Sequence, residues 1–159
     1  MIELVSLNET LLESAQEIFE TMVFMDLTET IEADQDVEGW ALLGIITFKG
    51  AIKGCLAFCC SVPCAQAIAI NMLGIDTTEQ IAEEDTCDAI GEIANMIMGS
   101  LKKRLAERVG NLEVSIPSVV SGRELRNNLG DGAQKTSVMI NIEDEYVAEL
   151  SLLYKENPK

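Results

Sequence analysis

The sequence predicts an α+β fold in which an antiparallel sheet is packed with helices. Two observations carry this. The expected elements come in grouped runs (helix, three strands, short helices, long helix, three strands) rather than in the strict alternation of a wound parallel sheet. The C-terminal strands also alternate cleanly: Val138, Ile140 and Ile142, then Tyr146, Ala148, Leu150, Leu152 and Tyr154, as half-buried strands do. The two halves read as one α-β(3) type motif used twice. With 159 residues, 48% of them hydrophobic, the chain is expected to form a single domain over 1–159.

Asn8 is placed as an N-cap, because Leu11, Leu12, Ala15, Ile18, Phe19 and Met22 follow it at helical spacing. Leu27 to Ala33 alternates weakly and carries charges, as an edge strand does. Trp40 to Phe48 and Ala51 to Cys60 are continuous apolar runs, and Lys49-Gly50 between them is read as a hairpin turn. Pro63 opens a short helix, Cys64 to Leu73, that Gly74 closes. After a start at Thr77-Thr78 comes the strongest helix signal, Asp85 to Val109, with Gly110 behind it. Leu112 to Ile116 reads as a strand stopped by Pro117, and Ser121 to Gly132, rich in glycine and asparagine, as a loop. Thr136 to Ile142 and Tyr146 to Tyr154 form a hairpin, whose apolar alternation leaves an edge that needs covering.

Charge and composition exclude much. Eleven basic against 27 acidic residues leave a net charge of −16, which repels nucleic acid and anionic membrane surfaces. The longest apolar run, Gly39 to Phe48, is too short to cross a bilayer, and no signal peptide is expected at Met1-Ile2-Glu3-Leu4. Cys55, Cys59, Cys60, Cys64 and Cys87 are an odd count, four of them crowded into one apolar region, which fits a reducing compartment better than a disulfide framework. They contain no Cys-x-x-Cys pair, and Cys59 and Cys60 would point to opposite faces of a strand. No metal site is expected, and the thiols are read as small buried hydrophobes. The chain has no histidine, so histidine-based triads and general bases are excluded. Catalysis must rest on carboxylates, amides or hydroxyls, or borrow its chemistry from a partner.

On the long helix, Cys87, Ile90, Ile93, Ala94, Ile97, Leu101 and Leu105 fall on one broad apolar face. Asp88, Glu92, Asn95, Gly99 and Lys102 line the opposite side, with Glu92 and Asn95 one turn apart. Gly91 and Gly99 flank the pair, and glycine inside a helix costs up to about 1 kcal/mol relative to alanine, which suggests close approach by another surface. Met96 borders the stripe as a pliable apolar contact. The bare Glu-x-x-Asn pair is uninformative, since this composition yields about one by chance, and the chain holds two, Glu92 to Asn95 and Glu124 to Asn127. Context separates them: Asp88 stands four residues before Glu92, and Pro117 follows Asn95 just past the next strand, whereas Glu124 and Asn127 sit in the glycine-rich loop.

The string Asp88-x3-Glu92-x2-Asn95 with its following proline resembles the motif of the CheC/CheX/FliY family of chemotaxis phosphatases. The run Asp88-Ala-Ile-Gly-Glu-Ile-Ala-Asn-Met-Ile-Met-Gly99 resembles that family's central helix throughout, and the order of elements matches over nearly the whole chain. The resemblance implies a CheC-like fold. Relatives with two sites carry a motif in each half; here Glu13-Ser-Ala-Gln16 and Glu17-Ile-Phe-Glu20 on the first helix do not match, so the chain is most similar to the single-motif CheX branch. That resemblance implies a homodimer in the cytoplasm, acting on a phosphorylated CheY-like response regulator. Asn95 would orient the water that attacks the aspartyl-phosphate, Glu92 would pair with the regulator's lysine, and Asp88, Met96 and Gly99 would contact the partner. No cofactor of its own is implied; Mg²⁺ is expected in the bound regulator. The alternative is a non-catalytic response-regulator-binding or flagellar-switch-like module.

Overall fold

The computed structural model describes residues 4–30, 37, 39–75, 81–123 and 132–156. Helix α1 (Leu4–Ile18) runs into one turn of π-helix, Phe19–Val23. Strand β1 (Leu27–Glu29) follows, then the long pair β2 (Trp40–Lys49) and β3 (Ile52–Ser61). Helices α2 (Val62–Leu73) and α3 (Glu83–Val109) lead to β4 (Glu113–Val114), β5 (Ser118–Arg123), β6 (Gln134–Ile142) and β7 (Tyr146–Glu156). All paired strands are antiparallel, in the order β1-β6-β7-β3-β2-β4, with β5 also on β2.

This order contains the repeat. Because β4 and β5 both pair with β2, they act as one interrupted edge strand. Exchanging the halves then maps β1 onto β4–β5, β2 onto β6 and β3 onto β7, with β3 and β7 paired at the centre. β1 covers the outer side of the C-terminal hairpin only along Ile140 to Ile142, while β3 flanks its inner side. From Gln134 to Val138 no strand among the described residues pairs with β6 on that outer side, so part of the expected hairpin edge stays open, and β4–β5 forms the other edge of the sheet.

One face of the sheet holds the main core. Leu42, Ile46 and Phe48 of β2, Leu56, Phe58 and Cys60 of β3, and Leu150 and Leu152 of β7 pack there beneath the helices. They meet Leu7 and Leu11 of α1, Ile68 of α2, and Ile90, Ile93, Ile97 and Leu101 of α3. Cys59 sits on the other face with Ala41, Leu43 and Ala57, so the adjacent cysteines do point apart. Cys60 and Cys64 are both buried, and a hydrogen bond between them, together with burial, pushes the Cys60 thiol well above its usual value.

Several boundaries differ from expectation for physical reasons. Asn8 is not an N-cap: Leu7 and Leu11 are a turn apart and both fully buried, so the apolar stripe begins earlier and α1 runs through Asn8. Its Oδ1 is buried and has no hydrogen-bond partner among the described residues. The β2–β3 turn falls at Gly50–Ala51, one residue later than placed, and Lys49 pairs with Lys53. Helix α2 starts at Val62, because the Ser61 hydroxyl accepts the Cys64 amide at 3.3 Å, and Gly74 closes it in the left-handed conformation as expected. β1 is described only as far as Glu29; most of its expected continuation, like Thr77, Thr78, Glu124 and Asn127, lies outside the described residues.

The largest correction is β5. Pro117 does not end the strand region, and Ser118–Arg123, half of it placed in a loop, pairs with β2 from Ile45 to Trp40. The Ser115 hydroxyl accepts the Thr47 amide at 3.0 Å while the Ser115 amide donates to the Thr47 carbonyl at 2.9 Å. That clasp carries the edge across a kink, which is where a residue without an N–H is tolerated.

A polar clamp joins α1 to α3. The Ser100 hydroxyl donates to Glu17 Oε1 at 2.6 Å and Arg104 Nη1 donates to the same oxygen at 2.8 Å, while also reaching Ser100 Oγ. The Arg104 hydrogen bond, then that of Ser100, holds the Glu17 carboxyl below its ordinary value. A depressed carboxyl stabilises the fold above its unfolded pKa, and the contribution disappears as pH falls through the folded value. Glu17→Gln is therefore expected to melt below wild type near pH 7, and the gap should close on acidification below about pH 4. Thermal melts of both proteins across that range check it; a gap independent of pH would remove the carboxylate from the clamp's stability.

Candidate functional site

The site is built on α3. Its first turn carries Glu83, Glu84 and Asp85 at the positive end of the helix, and Gly110 ends it with an amide bonded to the Ala106 carbonyl at 2.9 Å. Ile90, Ile93, Ala94, Ile97, Leu101 and Leu105 are buried as placed, and Cys87 is partly buried against the core. Opposite them Asp88, Glu92, Asn95 and Gly99 are exposed, and Lys102 is partly so. Glu92 and Asn95, three residues apart on a continuous helix, have Cβ atoms about 5–6 Å apart and present both side chains to solvent.

What holds this helix is tertiary. A Cβ on Gly44 of β2 would lie 3.1 Å from both Cγ2 and the carbonyl oxygen of Ile90 and 3.5 Å from Ala94 Cβ, so α3 sits almost on the sheet backbone beneath the Glu92–Asn95 turn. A Cβ on Gly91 would lie 3.4 Å from Val119 Cγ2 and 3.6 Å from Pro117 Cγ. The close approach suggested for Gly91 is thus made by the chain's own kinked edge. Since Asn95 is one turn beyond Gly91, Pro117 forms a wall beside the stripe. Nothing in the sequence marks Gly44 as a seat for α3; Pro117 was visible, but its partner was not.

Gly99 is different, for nothing lies within 4 Å of its absent side chain. The helix backbone is open there to an approaching surface. Met96 is partly buried and packs against the core at the edge of the stripe. The cavity of about 420 Å³ found among the described residues lies elsewhere, lined by Gln16, Glu20 and Phe24 to Leu27. The stripe is the exposed outer surface of a helix and does not line that cavity. Among the described residues no group of side chains is arranged to hold a metal ion, and no helix is long and apolar enough to cross a membrane.

The family model for the chemotaxis phosphatase CheX matches residues 42–143, which runs from β2 past the motif helix to the end of β6. The chain belongs to the CheX family of chemotaxis phosphatases. Its similarity to the CheY-P phosphatase CheX of Thermotoga maritima is 29% identity over 112 residues, covering 70% of this chain and 72% of that protein. The fold is that of CheX from Vibrio vulnificus, with a TM-score of 0.80 at 22% identity, covering 98% of this chain and 100% of the other. CheX from Borrelia burgdorferi, solved as a CheX–CheY–BeF3–Mg²⁺ complex, is similar at a TM-score of 0.70 and 15% identity, covering 98% and 100%. The CheC-like α+β fold expected from the motif is the fold observed.

Proposed function

We propose that this CheX-family chain hydrolyses the aspartyl-phosphate of a CheY-like response regulator. The observation that carries the reading is the exposed pair Glu92 and Asn95, held in fixed register on a helix whose other face is core. The relatives support the substrate class: one is named a CheY-P phosphatase, and another was solved with CheY, BeF3 and Mg²⁺. Phosphoryl transfer through a loose transition state asks mainly for positioning, which suits a chain without histidine. The Asn95 amide orients one water in line with phosphorus. The oxygen–phosphorus bond to the aspartate breaks, releasing phosphate and a free carboxylate. Glu92 pairs with the regulator's lysine and sets the docking register. Asp88 and Met96 border the contact, and Gly99 leaves room for the partner's backbone. Mg²⁺ belongs to the bound regulator, and the chain brings no cofactor of its own. A regulator substrate implies work in the cytoplasm.

The direct experiment mixes the protein with a phosphorylated CheY-type regulator and follows loss of phosphate against spontaneous decay. Decay no faster than the regulator alone would reject the phosphatase in favour of a binding module. Glu92→Ala is expected to weaken binding to a beryllofluoride-loaded regulator as well as turnover, because an ion pair desolvated at an interface costs more to break than an exposed one. Unchanged affinity and unchanged rate together would remove Glu92 from the site.

The functional unit we propose is a homodimer. The outer edge supports this, since Val114, Ile116 and Val120 of the β4–β5 region are exposed apolar side chains along an edge that pairs with no further strand among the described residues. Sedimentation equilibrium should report twice 17.3 kDa at micromolar concentration. A clean monomer would overturn it.

A further inference from the structure

The face of the sheet turned away from the helices carries a row of lysines that the sequence keeps far apart. Lys49 of β2 stands directly opposite Lys53 of β3, and Lys53 directly opposite Lys155 of β7. Lys135 of β6 pairs with Leu153, two residues before Lys155 on the same face, and so lies diagonal to the row. Lys49, Lys53 and Lys135 are exposed and Lys155 is half-buried. With strands about 4.8 Å apart, three ammonium groups line a span of roughly 10 Å.

Like charges directly opposite one another destabilise a sheet. Here the ladder gathers four of the chain's 11 basic residues although 27 acidic ones were available to break it up. None of the four makes a salt bridge among the described residues. The acid in the row is Glu113, opposite Lys49 on the far side from Lys53; Glu156 is in register with Ile52, a core residue, and so belongs to the other face. The arrangement costs stability in the free protein and calls for a multivalent counter-charge.

We infer that the Lys49–Lys53–Lys155 ladder, with Lys135 beside it, binds the phosphate chain of a small oligophosphate anion. Size and charge decide the class. A macromolecular interface needs about 800 Å² on each side, whereas the row next to the ladder, Thr47–Cys55–Leu153–Lys135, is buried at its two central positions and exposed only at its ends. A nucleic acid or an acidic protein would also feel the full charge of −16, while a small anion held at the row is shielded from most of it beyond a Debye length of about 8 Å. Lysine ammoniums are compact donors of three N–H bonds each, suited to phosphate oxygens, and a chain of phosphates repeats its charges along the row. The site is on the opposite side of the sheet from α3 and does not depend on the phosphatase reading.

Calorimetric titration with inorganic triphosphate, without divalent metal and at constant ionic strength, tests this. Saturable binding to the wild-type chain is expected, weakened about tenfold or more by Lys53→Gln and kept within about threefold by Lys53→Arg. Unliganded Lys53→Gln should melt no lower than wild type, because the substitution relieves two like-charge neighbours. ATP in parallel distinguishes the sources: equal affinity assigns the site to the phosphate chain alone, and tighter binding of ATP assigns it to a nucleotide. The inference is overturned if triphosphate does not saturate, if sulfate at equal ionic strength gives the same heat, or if Lys53→Gln binds as well as wild type. Tighter binding of a polyglutamate peptide or an oligonucleotide would overturn it too, assigning the ladder to a macromolecule.

Discussion

Alanine at Glu92 and Asn95 together is expected to reduce regulator dephosphorylation to the regulator's own rate of decay. A misplaced nucleophile costs on the order of 100-fold, and here both the group that places the water and the group that sets docking are removed. Stability should change little, within about 0.5 kcal/mol, because both side chains are exposed and alanine is the better helix former. The melting temperature therefore separates a lost site from a lost fold. Alanine at Glu124 and Asn127, the other literal match, should leave the rate within a few-fold of wild type, since no acid stands four residues before Glu124 and the sequence around it has only weak helical periodicity. Undiminished turnover in the helix variant, or loss of turnover in the other, would sink the assignment of the site to α3.

Gly54→Ala should have the largest effect on stability. A Cβ there would run into the Leu153 carbonyl oxygen and stand 2.8 Å from Tyr154 Cα, both backbone atoms of β7. No rotamer relieves a clash between Cβ and a neighbouring strand's backbone, so β3 and β7 must part. They are the central pair that joins the two α-β(3) halves. Nearby, Tyr154 is buried, its hydroxyl donating to Gln134 Oε1 at 3.0 Å, so the shift would spread into β6. A loss of about 3 kcal/mol is expected, which lowers the melting temperature by roughly 6–12 °C. A variant that melts with wild type would show that the two strands are not in such contact in solution.

The long helix was legible because its signals are local and agree with one another. Acids at its start, buried positions at helical spacing and a glycine just beyond its end all point to one element. The C-terminal hairpin was legible for the same reason, with period-two burial along β6 and β7. Errors arose where a local signal met a distant partner. Asn8 has a capping side chain, but the burial of Leu7 draws the helix through it. Pro117 carries a strong stop signal, yet β2 offers an edge and Ser115 bridges the gap.

By itself the sequence determined the two faces of α3, the exposed stripe from Asp88 to Gly99, the exclusion of histidine chemistry, and a charge that repels nucleic acid and anionic membrane surfaces, because each of these depends only on composition or on spacing within one segment. Only the tertiary structure decided what lies across from what. Gly44 seats α3, Pro117 packs beside Gly91, and Lys49, Lys53 and Lys155 form one row because strands far apart in the chain are paired in a particular register. Register is a collective choice: a slip of one residue would turn every side chain of a strand to the other face, so it is set by the whole buried face and not by any local run of residues.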